Sequence, residues 1–129
     1  YSNFGSNDGK TAAKVREAAK ILREKAPDII VDGDIQANFA VNSDLLRANF
    51  PFSCLNGKPA NTLVFPNLES GNIAYKLLQE IGHAEAVGPI LLGMNKPVHV
   101  LQLDSSVREI VNMVTIAVVD VQTHEKMES

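Results

Sequence analysis

Serine, asparagine and glycine crowd two short stretches of this chain, and both have the makings of an anion site. The first is Ser2-Asn3-Phe4-Gly5-Ser6, inside a loop rich in Gly, Ser and Asn that reaches Lys10. Small residues let backbone N–H groups face a negative charge, and a helix that follows adds the positive end of its dipole. The second is Ser70-Gly71-Asn72, followed by Tyr75-Lys76. The donors this reading names are the backbone N–H groups of Gly5, Ser6 and Gly71, the side chains of Ser2, Ser6, Ser70 and Asn72, and Lys76. Each stretch also has a plain reading. The loop is no Walker motif and can be a surface turn. Gly71 can serve close packing of a helix on a sheet, with Tyr75 and Lys76 structural and Ser70 or Asn67 as a helix cap.

Other reactive residue types lack a constellation. Asp32-Gly33-Asp34 has the look of a metal pair, but acidic pairs in turns are usually solvated turn formers. No His or Cys stands near it at ligand spacing, and His83, His99 and His124 share no motif, so no metal site is expected. Cys54 lies between Ser53 and Leu55 with no adjacent base, which fits a small buried residue better than a nucleophile.

The elements that must position these residues alternate between helix and strand. Thr11 to Lys25 is helical, with Ala12, Val15, Ala19, Leu22 and Ala26 on one face and Pro27 as its stop. Gln36–Val41 and Ser43–Asn49 are short helices. Ile29–Val31, Thr62–Phe65, Ala84–Val87 and Val98–Leu103 are strand candidates. Thr62–Phe65 runs through a Pro66-Asn67 turn into a helix whose residues Ile73, Leu77 and Ile81 are expected to face inward. Ser106 and Glu109 form a capping box for a long last helix containing Ile110, Met113, Val114, Ala117 and Val121. Met113, Ile116, Ala117 and Val118 spread over more than one face, which suits self-association. The rhythm implies an α/β layered domain with a largely parallel sheet.

Composition narrows the class. With 129 residues, 45% apolar and 21% charged, the chain suits one domain with a core, expected over 1–123 with a polar tail at 124–129. A net charge of −3 without a basic run argues against nucleic acid and anionic membranes as partners. One cysteine excludes an intrachain disulfide and suits a reducing compartment such as the cytoplasm. Tyr1-Ser2-Asn3-Phe4 reads as a strand cut in its interior, so the chain is expected to be an amino-terminally truncated piece of a longer protein.

Phe65-Pro66-Asn67-Leu68-Glu69-Ser70-Gly71-Asn72-Ile73-Ala74-Tyr75-Lys76 and Gly88-Pro89-Ile90-Leu91-Leu92-Gly93-Met94-Asn95-Lys96-Pro97-Val98 together resemble the carboxyl-terminal part of the phosphotransacetylase family. These enzymes move acetyl or butyryl groups between coenzyme A and phosphate. The resemblance implies their fold, a layered α/β/α domain related to the isocitrate and isopropylmalate dehydrogenases. It also places Ser2 to Ser6 beside the active-site cleft. Val31, Asp32, Gly33, Asp34 and Gln36 match a further family motif, with Asn38 where an Asp is usual. After Lys96-Pro97-Val98, however, the family's Ser-Arg pair, which holds phosphate and stabilises the thiolate of coenzyme A, falls on Gln102 and Leu103. Leucine offers no donor and no charge.

Ser2-Asn3-Phe4-Gly5-Ser6, Tyr75 to Glu80 and Asp104 to Met113 are most similar to the transacetylase-like tail of bacterial NADP-dependent malic enzymes. That resemblance implies a regulatory and oligomerisation domain without catalytic residues of its own. It further implies acetyl-CoA or phosphate as ligand, held by Ser2, Gly5, Ser6, Ser70, Gly71, Asn72 and Lys76. Malate, NADP and a divalent metal would belong to the remainder of such a parent, with no cofactor in this piece.

Overall fold

The computed structural model of the protein describes residues 1–128, and their side chains as far as residue 123. Five helices run in the order α1 Lys10–Lys25, α2 Ala37–Val41, α3 Ser43–Asn49, α4 Leu68–Glu80 and α5 Val107–Glu128. The chain forms two compact units, Tyr1–Lys76 and Leu77–Ser129.

In the first unit, α1 buries Ala12 and Ala19 on the expected face. Its start has no side-chain cap from Gly9. The Tyr1 hydroxyl instead accepts from the Ala12 N–H at 3.2 Å, which satisfies one of the orphan donors of the first turn. Asn42 caps α3 through its side-chain oxygen, which accepts from Leu45 N–H at 3.0 Å. Leu46 of α3 is the most deeply buried large side chain, and Ala40 and Leu55 are buried with it as members of the core. Three half-buried phenylalanines, Phe4, Phe39 and Phe50, extend this core, with the exposed Phe52 against Phe4. Phe4 and Phe39 each lie 5.0 Å from Phe50 by ring centroid, and Phe52 lies 5.0 Å from Phe4, in tilted or edge-on pairs.

α4 starts where Asn67 Oδ1 accepts from Ser70 N–H at 2.9 Å, so Asn67 is the cap. The carbonyl of Leu78 accepts from Ala84 N–H near its end, and Gly82 packs against that carbonyl so closely that a β-carbon there would lie 2.7 Å from the oxygen. The inward face expected of Ile73, Leu77 and Ile81 does not form: all three are exposed, and α4 buries none of its residues. Nothing among the described residues covers that face.

α5 opens with the expected capping box. Ser106 N–H donates to Glu109 at 2.6 Å, and Glu109 N–H donates to the Ser106 hydroxyl at 3.3 Å. One side of α5 buries Met113, 4% exposed, with Ile116, Ala117 and Asp120 half-buried beside it. Val107, Val111, Val114, Val118 and Val121 occupy a different side. Their spacing of four, three, four and three residues is that of a helix-on-helix seam, and all five are exposed, from 78% at Val107 to 41% at Val121. A groove of about 430 Å³ along this side is lined by Pro97, Val114, Ala117, Val118, Val121 and Gln122.

The strand candidates carry no ladder. Residues 29–31, 62–65, 84–87 and 98–103 form no β-strand among the described residues, and Val64, Val87, Val98 and Val100 are exposed. A parallel strand is defined by its neighbours and is normally covered on both faces. Apolar extended backbone lacking such neighbours keeps the composition of a strand without its hydrogen bonds. No helix among the described residues is long and apolar enough to cross a membrane.

Candidate functional site

All seven residues expected to touch a ligand lie in the first unit, in two places. Ser2 to Ser6 make a tight turn. Phe4 and Gly5 take positive φ values of 46° and 90°, and Ser6 N–H donates to the Asn3 carbonyl at 3.0 Å. Glycine suits that conformation, whereas Phe4 must be held in it. The holding comes from Asp34. Its carbonyl accepts from Phe4 N–H at 2.7 Å and its carboxylate accepts from Gly5 N–H at 3.2 Å. Asn3 returns the contact by accepting from Gln36 N–H at 2.7 Å. The Ser2 and Ser6 hydroxyls lie 3.4 Å apart, and Ser2 is buried.

Asp34 is therefore no solvated turn former. It is 3% exposed and faces Arg16, whose Nη1 lies 3.3 Å from the carboxylate. The same nitrogen donates to the Asn7 carbonyl at 3.1 Å. Asp32 is likewise engaged: Arg23 donates to it at 2.7 Å, the Ser53 hydroxyl at 2.8 Å and Cys54 N–H at 3.2 Å. Arg16 and Arg23 are seven residues apart and share a face of α1, and they meet Asp34 and Asp32 on either side of Gly33, whose φ is 143°. Two helical turns of α1 are thus zipped to the Asp32-Gly33-Asp34 segment. These carboxylates are occupied by protein donors, and no metal-binding group of His, Cys, Asp or Glu exists among the described residues.

Burial pushes the Asp34 carboxyl upward, but the Ser2 hydroxyl, the N–H groups of Asp34 and Gly5 and the Arg16 charge outweigh it and hold it below the ordinary 3.8. A carboxyl more acidic in the folded chain than in the unfolded one stabilises the fold above the ordinary value and loses that contribution as pH falls through the folded value. Stability is accordingly expected to fall in acid, beginning near pH 4, with the Ser2–Ser6 turn loosening. Asp34→Asn is expected to flatten part of that slope in urea titrations at stepped pH. An unchanged slope would remove Asp34 from this role.

Cys54 departs from expectation in one respect. It is exposed, not buried. Its thiol is pushed up by partial desolvation and by the Asp32 carboxylate, so the thiolate is disfavoured, as the lack of an adjacent base suggested.

The second place is the start of α4. Ser70 Oγ donates to the Asn67 carbonyl at 3.1 Å, and Gly71 N–H donates to the same carbonyl at 3.3 Å. Ser70 and Gly71 are half-buried, whereas Asn72 and Lys76 are exposed. Lys76 Nζ stands 5.3 Å from the Tyr75 ring centre. A β-carbon on Gly71 would meet Phe65 at 3.6 Å, an ordinary contact, so close packing does not require glycine there. Helix α1 touches both places, through Arg16 at the first turn and through Lys14, which donates to the Pro66 carbonyl at 2.9 Å near the second. The three backbone N–H groups named as donors are already engaged: Gly5 with Asp34, Ser6 with Asn3 and Gly71 with Asn67. The Ser70 hydroxyl is engaged with Asn67 and the buried Ser2 hydroxyl with Asp34, so the Ser6 hydroxyl, the Asn72 amide and Lys76 are what remain for a ligand among the named donors.

Sequence reasoning passed over Arg16. Its only signal was the match between an arginine spacing of seven on α1 and an aspartate spacing of two beyond it.

In the second unit, Gln102 and Ser105 close a turn, with Gln102 N–H donating to the Ser105 hydroxyl and Ser105 N–H to the Gln102 carbonyl, both at 3.1 Å. Leu103 on that turn is fully exposed. Arg108, the next arginine, is paired with Glu85 at 2.6 Å. The two ring nitrogens of His99 are buried without a hydrogen-bond partner among the described residues.

Comparison with known proteins gives the family. The profile for phosphate acetyl/butaryl transferase matches residues 1–118. The NADP-dependent malic enzyme of Escherichia coli (strain K12) is 44% identical over 124 residues, covering 95% of this chain and 16% of that protein. The phosphate acetyltransferase of Clostridium acetobutylicum is 41% identical over 122 residues, covering 95% of this chain and 36% of that protein. The crystal structure of a phosphotransacetylase from Streptococcus pyogenes superposes with a TM-score of 0.84 at 41% identity, over 91% of this chain and 35% of that one. The chain belongs to the phosphate acetyl/butaryl transferase family and has a phosphotransacetylase-like fold. It spans about one sixth of the malic enzyme and about one third of the acetyltransferase.

Proposed function

We propose that this chain is the transacetylase-like regulatory and assembly domain of a cytoplasmic NADP-dependent malic enzyme, without acyltransferase activity of its own. Malate decarboxylation, NADP and a divalent metal then belong to the remaining polypeptide of that parent. The observation that carries the reading is the Gln102-Leu103 turn. The resemblance to transacetylases calls for Ser-Arg there, and Leu103 cannot replace a bidentate, permanently charged donor. Arg108, the nearest substitute in sequence, is turned to Glu85. The exposed extended segments and the exposed face of α4 support a largely parallel sheet completed by other polypeptide. The valine seam of α5 supports self-association.

Acetyl-coenzyme A is the proposed effector, received by the Ser2–Ser6 turn and the start of α4. Added to the full-length enzyme, it is expected to change malate turnover, and Ser6→Glu with Lys76→Glu is expected to remove the change. A doubly substituted enzyme that folds, assembles and still responds normally overturns this placement. A second reading, a working phosphate acyltransferase, draws on the acetyltransferase of C. acetobutylicum, which aligns over as much of the chain as the malic enzyme does.

A further inference from the structure

Among the described residues, the hydrogen bonds of Arg16 all leave from Nη1: to Asn7, and to both oxygens of Asp34. Its Nε and Nη2 have no partner among the described residues, and the side chain is about one-third exposed, at 31%. Nε and Nη2 form the edge of a guanidinium that takes an oxyanion through two parallel hydrogen bonds. The group sits over the Ser2–Ser6 turn, with Nη1 3.9 Å from where a β-carbon on Gly5 would stand. The Ser2 and Ser6 hydroxyls belong to that turn. The first turn of α1, which follows directly, contains no acidic residue to offset its positive end.

From this we infer that Arg16 is the anion-binding arginine of the domain. It takes a phosphate dianion, free or carried by a coenzyme A thioester, on its Nε–Nη2 edge beside Ser6, while Nη1 stays on Asp34. The inference rests on the reading of the Ser2–Ser6 turn as a ligand site and adds the cation that the turn itself lacks. Leu103 marks where this chain lacks the cation that the resemblance calls for, and Arg16 is a cation the fold supplies elsewhere. Asp34 then has two opposed effects. It fixes the guanidinium in place, and its charge repels the incoming anion, which keeps the affinity low and sensitive to salt.

The test is a titration of the full-length protein carrying this domain with inorganic phosphate, acetyl-coenzyme A and acetyl-dephospho-coenzyme A. It is followed through the Arg16 Nε–H resonance and by calorimetry, with thermal unfolding of each variant alongside. Arg16→Lys keeps the charge opposite Asp34 and removes the fork. It is expected to weaken binding about tenfold, the cost of one good charge-assisted contact, at an unchanged unfolding temperature. Asp34→Asn removes the repelling charge and is expected to tighten binding several-fold although it destabilises the turn, an opposition that a purely structural arginine does not produce. Acetyl-coenzyme A binding more tightly than its dephospho form identifies a carried phosphomonoester, and equal binding by phosphate alone identifies the free anion. Acetyl-coenzyme A bound equally well by Arg16→Lys removes Arg16 and leaves the proposed function standing. Failure of the full-length wild-type protein to bind any of the three removes both.

Discussion

The full-length protein carrying this domain is expected to transfer no acetyl group between coenzyme A and phosphate above a buffer control. Removing a single donor aimed at developing negative charge costs roughly 10²–10³ in rate. Here the transacetylase-like Ser and Arg are both replaced, by Gln102 and by a Leu103 that is fully exposed to solvent. An amide can donate one hydrogen bond to a thiolate or phosphate, but it brings no charge, and leucine brings neither. The assay belongs on the whole protein, because the chain covers only 36% of the length of the acetyltransferase it matches. Robust turnover that disappears with Gln102→Ala would overturn the assignment and establish the acyltransferase reading in its place.

The second large effect concerns α5. The chain is expected to self-associate, and Val114→Glu with Val118→Glu is expected to raise the dissociation constant at least ~100-fold, measured by sedimentation equilibrium. Burying a valine is worth roughly 1.5–3 kcal/mol, and each tenfold in affinity corresponds to about 1.4 kcal/mol. In a two-fold pairing the seam meets itself, so every substitution is felt twice. Val119 is equally exposed but sits off the seam, so Val119→Glu should leave association unchanged. A wild-type chain that stays monomeric at high concentration, or equal weakening by all three substitutions, would refute a specific seam.

Much of the local structure was legible before any coordinates. The α1 boundary was read to within one residue at its start and matched at Lys25, and the two ends of α3 were read as they stand. The Ser106–Glu109 box is read as it stands, and Asn67 is one of the two caps, with Ser70, that the sequence offers for α4. These are short-range signals, carried by side chains that bond their own backbone three residues on. The failures are all long-range. Ile73, Leu77 and Ile81 have the spacing of a buried stripe, but spacing says only that a face is apolar, not that anything lies over it. The strand candidates fail for the same reason, because pairing is a property of two segments. Asp34 was misread as a solvated turn residue because its partner, Arg16, lies eighteen residues away. The candidate site is visible as a cluster of small polar residues. Its organising ion pair was not, since nothing in either segment alone distinguishes a zipped arginine from a surface one.

The end of α4 has a bearing on heredity. A β-carbon at residue 82 would lie 2.7 Å from the Leu78 carbonyl oxygen, which is backbone and cannot swing aside as a side chain can. Every missense change of a glycine codon adds a β-carbon, whichever base is altered. Codon 82 therefore has no missense neighbour that leaves this turn as it stands: any residue that replaces the glycine shifts the backbone between α4 and Ala84.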